Sequence, residues 1–167
     1  MALQDTRYVR GPEKLARRMA TIRATLALPV LTNEVAELLL KRTLVRFEAQ
    51  VDPDNTPWRA LAPATELRRK QSGYDPKHPI LQRTQELKHA IHILRGLAPG
   101  AVFTNTGAGA RIGVSDEGII GRARAHQRGT AHVPMRRFLG IGRLDVKAVD
   151  SQLRRLGAQL NKKLLLP

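Results

Sequence analysis

Near the start of the chain, apolar residues recur at helical spacing in two stretches. Leu15, Met19, Ile22 and Leu26 follow at steps of four, three and four, one face of a helix. Gly11-Pro12 predicts its start, because proline's missing N–H costs nothing in a first turn, and Pro29 predicts its end. A second helix is expected from Thr32 or Asn33, either of which can cap free N–H groups, with Glu34 and Glu37 at its positive end. Ala36, Leu40, Leu44, Phe47 and Val51 form its stripe, widened by Val35 and Leu39.

The pattern then breaks. Asp52 to Trp58 (Asp-Pro-Asp-Asn-Thr-Pro-Trp) is rich in turn formers and holds the only tryptophan. A short helix is expected from Thr65 through Lys70, a loop from Ser72 to Pro79, and one or two helical turns from Ile80 to Leu87. Ala90–Leu94, Ala101–Thr104 and Ala110–Val114 read as strands separated by glycine turns, which predicts an antiparallel meander. Ile119 to Arg128 reads as a helix closed by Gly129. Val146, Val149, Leu153, Leu156, Leu160 and Leu164 mark a long last helix, with Asp145 at its start and Lys162 and Lys163 at its end. The fold class is α+β: a small antiparallel sheet packed against two N-terminal helices and a long C-terminal helix. All 167 residues fit one domain, with residues 1–10 expected as an extended arm.

Charge changes the picture more than size does. There are 29 Lys and Arg against 14 Asp and Glu, a formal net charge of +15, which predicts an acidic partner. Residues 101–167 hold twelve of the basic residues and only four acids, Asp116, Glu117, Asp145 and Asp150. No apolar run is long enough to cross a bilayer, and Met1 to Asp5 lacks the basic start and apolar block of a secretory signal, so a soluble protein made in a cytoplasm is expected. Without cysteine, disulfides and thiolate metal sites are excluded.

Common catalytic arrangements fail on spacing. None of Ser72, Ser115 and Ser151 lies in a Gly-x-Ser-x-Gly elbow. His89 and His92 fall on opposite faces of a regular strand, and no acid near His126 or His132 in sequence orients either ring. Asp52 and Asp54 begin like a calcium loop, but Pro57 and Pro63 replace the required glycine and glutamate. Gly107, Gly109 and Gly113 lack both Rossmann and P-loop spacing. No catalytic, cofactor or metal site is expected.

Four segments resemble the phage virion morphogenesis, or tail completion, family of Mu-like and related contractile-tailed phages. They are Asp52 to Trp58, Ile80 to Leu87 (Ile-Leu-Gln-Arg-Thr-Gln-Glu-Leu), Ala125 to Gly129 (Ala-His-Gln-Arg-Gly), and Val133 to Ile141 (Val-Pro-Met-Arg-Arg-Phe-Leu-Gly-Ile). Together with Asp145 they cover residues 48 to 165 in the family's order. Asn55 and Gln85 stand where the family has glycine. Asn55 still tolerates a left-handed turn, and Gln85 predicts a helix that runs on.

The resemblance implies a structural virion protein at the phage neck, acting in tail completion or head–tail joining, made in host cytoplasm. It also implies a ring, commonly of six copies, through which DNA passes without specific binding. Asp52, Asp54, Pro57 and Trp58 are expected to form an architectural anchor. Arg136, Arg137, Arg154 and Arg155 are expected to meet acidic surfaces of neighbouring neck and tail proteins. Phe138, Leu139 and Ile141, with the last helix, are expected to join subunits; packing of both inside one subunit is the alternative. The rival function is a basic nucleic-acid-binding module, for which the net charge speaks and the 4% aromatic content does not.

Overall fold

The helix expected from Thr32 or Asn33 begins earlier, at Leu28, in a computed structural model that describes residues 28–77, 79–94, 101–106 and 109–164. Pro29 therefore lies in the first turn of this helix, where its missing N–H costs nothing. The predicted first helix, Pro12 to Leu26, and the arm 1–10 lie outside the described residues.

The elements in chain order are α1 (Leu28–Ala49), α2 (Pro63–Gln71), α3 (Glu86–His89), β1 (His92–Leu94), β2 (Val102–Asn105), β3 (Arg111–Val114), α4 (Glu117–Arg128) and α5 (Arg143–Leu164). The architecture is α+β. The three strands are antiparallel, but their order is β1-β3-β2, so the expected meander is corrected. Burial explains the order. Ile112, Gly113 and Val114 are all buried and suit a central strand, whereas exposed Phe103 and Asn105 suit an edge. Ile112 is paired with Ile93 on one side and Thr104 on the other.

Helix α1 lies against β1 and β3, and α4 against β2 and β3. The C-terminal helix packs chiefly on α1, not on the sheet. The buried face of α1 is Val35, Ala36, Leu39, Thr43, Arg46 and Phe47, so the residues expected at its margin are near its centre. Leu40 and Leu44 are only half-buried. One apolar cluster runs from Val35 and Phe47 through Trp58, Ile112, Ala123 and Phe138 to Leu153.

The turns before α3 depart from a continuing helix. Leu81 and Gln85 both have positive φ, 64° and 59°, and Gln85 is the N-cap of a single helical turn. The glycine-like backbone persists although the side chain differs, because Gln82 is anchored: its Nε2 donates to the Phe47 carbonyl in the core. His89 ends α3 and is not in a strand, so the two histidines expected on opposite strand faces belong to different elements.

Candidate functional site

The segments that carry the family resemblance converge in space. The Asp52 turn folds on its own side chain: Oδ1 accepts from the Asp54 and Thr56 N–H groups, both at 2.9 Å, and Asn55 takes φ 67°. The second carboxylate oxygen faces outward to a cation. Arg137 Nη2 donates to Asp52 Oδ2 at 3.1 Å and to Asp54 Oδ2 at 2.6 Å. Burial by itself would lower the Arg137 pKa, but the hydrogen bonds to Asp52 and Asp54 outweigh it and hold the pKa above its ordinary value. The aspartate pair that resembles the start of a calcium loop thus holds a guanidinium of the same chain.

Trp58 closes this turn. Its backbone N–H donates to Gln50 O at 2.8 Å, and its indole Nε1 donates to Arg137 O at 2.9 Å. The ring meets Phe47 edge-on, with centroids 5.3 Å apart, and Phe47 meets Phe138 at 5.6 Å. Pro57 is exposed, and residue 57 contributes through an isolated antiparallel bridge with Val51.

The His-Gln segment is a clip on the opposite side of the same stretch. Gln127 Nε2 donates to Leu139 O at 2.8 Å, and its Oε1 accepts from the Phe138 and Leu139 N–H groups, both at 3.1 Å. The His126 carbonyl accepts the Arg136 N–H at 2.7 Å. Arg136 itself reaches the other way, donating through Nε to Arg59 O at 2.8 Å and through Nη2 to Ala60 O at 3.1 Å. One side-chain amide therefore satisfies three backbone groups of a segment with no regular structure.

Asp145 completes the arrangement. It sits in the first turn of α5, where its Oδ2 accepts the Gly142 N–H at 2.8 Å, as the third residue of a capped helix does. Both Arg42 and Arg46 of α1 pair with it, and Arg46 also donates to Gly140 O at 3.2 Å. Burial lowers the Arg46 pKa, and the Asp145 charge opposes that; the guanidinium stays charged. Gly140 and Gly142 let this loop approach the Asp52 turn. A Cβ on Gly142 would lie 1.6 Å from Pro53 O, and one on Gly140 would lie 2.8 Å from Pro53 Cγ.

These placements decide which expected interface residues are available to a partner. Phe138 and Leu139 are 0% and 3% exposed within the subunit, so a neighbouring copy cannot reach them. Ile141 is half-buried against the same cluster, Arg136 is buried and Arg137 is paired internally. Arg154 and Arg155 are exposed, Arg154 pairing with Asp150 one turn earlier. Several contributors are not legible in the sequence: Arg42 and Arg46 lie on α1 with no pattern to mark them. Asp145 reads as a dipole partner within the resemblance and Gln127 as part of the resemblance, with no bracing role evident for either. The available signal for Asp145 is the Gly142-to-Asp145 capping spacing.

The model of the phage virion morphogenesis family matches residues 12–156, a span that contains every one of these contacts. The chain belongs to the phage virion morphogenesis family. No curated protein and no solved structure matches it. Membership in a virion morphogenesis family gives the chain a structural or assembly role in a phage particle and a place in the virion. The contacts above suit that role: Asp52, Asp54, Arg137, Gln127, Arg46 and Asp145 each hold backbone or one another. Among the described residues, no helix is long and apolar enough to cross a membrane, and no three His, Asp or Glu are grouped to hold a metal ion.

Proposed function

We propose that this protein is a non-catalytic component of the phage neck that completes the tail or joins it to the head, assembling as a ring. The match to the virion morphogenesis family over residues 12–156 carries the reading. The structure supports it indirectly, since the polar groups that converge between the Asp52 turn and α5 are used to brace the subunit. Such bracing suits a part that must keep its shape under mechanical load.

A ring of this protein must use surfaces other than Phe138 and Leu139. Among the described residues, Val45, Leu67, Met135 and Leu144 are large apolar side chains about half exposed or more, and these are the proposed subunit contacts. A copy number of six rests on the family resemblance alone. DNA crosses such a ring without sequence-specific contact, and assembly takes place in host cytoplasm.

A stop codon in this gene of the producing phage tests the reading. Electron microscopy of the lysate should show filled heads and tails that have not joined, and the chain should be present in purified wild-type particles. Normal infectious particles from the mutant, or particles that lack the chain, would overturn it.

A further inference from the structure

A groove of about 940 Å³ lies between α2, the turns preceding α3, the end of α4 and residues 130–136. Arg59, Arg68, Arg69, Arg83, Arg122 and Arg136 line it, and no described lining residue is acidic. Two of these arginines are more than nine-tenths buried: Arg69 is 8% exposed and Arg136 is 5% exposed. Arg136 is held by two carbonyls, not by a carboxylate. Arg83 lies over the Tyr74 ring at 4.9 Å. Arg122 pairs with Glu86 at 2.7 Å, where both side chains are about half exposed.

The cations burden one another. Burial lowers the Arg136 pKa, and Arg59 and Arg69 lower it further; burial and then Arg83 do the same to Arg69. Arginine does not relieve such crowding by losing its proton, and Glu66 offsets only part of it at Arg69. His126 also lines the groove, while its Nδ1 is closed off from solvent and has no hydrogen-bond partner.

We propose that this groove receives an acidic segment of a neighbouring particle protein, its carboxylates taken by the arginine forks and its apolar side chains seated on Leu61, Leu81 and Val133. The assignment rests on the assembly role proposed above. A protein segment fits better than nucleic acid for two reasons. The lining mixes aliphatic side chains with the guanidinium groups, and no Phe, Tyr or Trp is among the described lining residues to stack a base. Sequence reasoning placed the acidic contact on Arg154 and Arg155 as well, but those side chains are on α5, away from the groove lining.

Fluorescence anisotropy with the full-length protein tests the site, using a labelled peptide of alternating glutamate and leucine at near-physiological salt. The peptide should bind, and Arg68→Glu or Arg83→Glu should each weaken it by about tenfold. Arg154→Glu and Arg155→Glu make the same change of charge outside the groove and should leave binding nearly unaltered. All four positions are exposed, so the variants keep the fold, which circular dichroism checks. Absence of peptide binding, or equal losses from both pairs, would overturn the site. Displacement of the peptide by oligothymidylate or a short duplex at lower concentration, with the same dependence on Arg68 and Arg83, would make it a nucleic-acid site instead. Complementation of the stop-codon phage separates the two levels. Groove variants that restore joining as well as the wild type defeat the groove alone, whereas a stop codon that leaves particles normal defeats the assembly role itself.

Discussion

Arg46 of α1 and Asp145 of α5 form a buried ion pair between residues 99 positions apart in the chain, their side chains 8% and 1% exposed. The pair joins the two longest described helices at the point where the loop carrying Gly140 and Gly142 crosses the Asp52 turn. Its value lies in placement, since two desolvated charges add little net stability even when well paired.

Removing one partner should therefore harm the protein more than removing both. Asp145→Ala leaves the Arg46 charge buried and Gly142 N–H unpaired, and should cost roughly 3–5 kcal/mol in urea unfolding. Arg46→Met combined with Asp145→Leu removes both charges and should recover part of that loss. A double variant no more stable than Asp145→Ala would show that the pair contributes more than its own desolvation takes away.

Trp58 has two separable functions, filling space against Phe47 and pinning Arg137 O. Trp58→Ala should cost about 3–5 kcal/mol through the lost packing. Trp58→Phe keeps most of the ring and loses only the indole donor, so about 1–3 kcal/mol is expected. Equal losses from the two substitutions would remove the hydrogen bond from the account.

Two glycines give opposite expectations. Gly142→Ala drives a Cβ into Pro53 O and should destabilise by roughly 1–3 kcal/mol or more, because the atoms it meets are backbone and cannot swing aside. Gly121 lies within α4, where an added Cβ would meet nothing within 4 Å, and Gly121→Ala should stabilise by about 0.4–1 kcal/mol. Thermal midpoints of the two variants should move in opposite directions.

His126 makes stability depend on pH. Burial, followed by the charges of Arg136 and Arg122, lowers its pKa to about 4 in the folded protein, against about 6.5 for an unperturbed histidine. Between these values the unfolded chain binds the extra proton and the folded chain does not. The contribution is thus complete above about pH 6.5 and is lost as pH falls towards 4. His126→Gln should flatten the fall in urea midpoint over that window, and an unchanged slope would place the titration elsewhere.

The amino-acid sequence by itself determined the family, the α+β class, the long last helix and the short strands. Each of these depends on local information: periodicity in Val146 to Leu156, β-branched residues near Ile93 and Ile112, and ordered motifs such as Asp52 to Trp58. Gly129 ends α4 as expected, with φ 76°, because a helix stop is decided within one turn. What needed the tertiary structure was every assignment in which a side chain has more than one possible partner. Arg137 could have met another protein, yet Asp52 and Asp54 lie 85 and 83 residues before it and take its guanidinium. Phe138 looked unsupported beside Gly140, until Phe47 and Gln127 were brought to it from other elements. Strand order likewise turned on which strand could be covered on both edges. Local geometry is encoded by neighbours in the chain, whereas the pairing of charges and the burial of an apolar loop depend on segments nearly a hundred residues away.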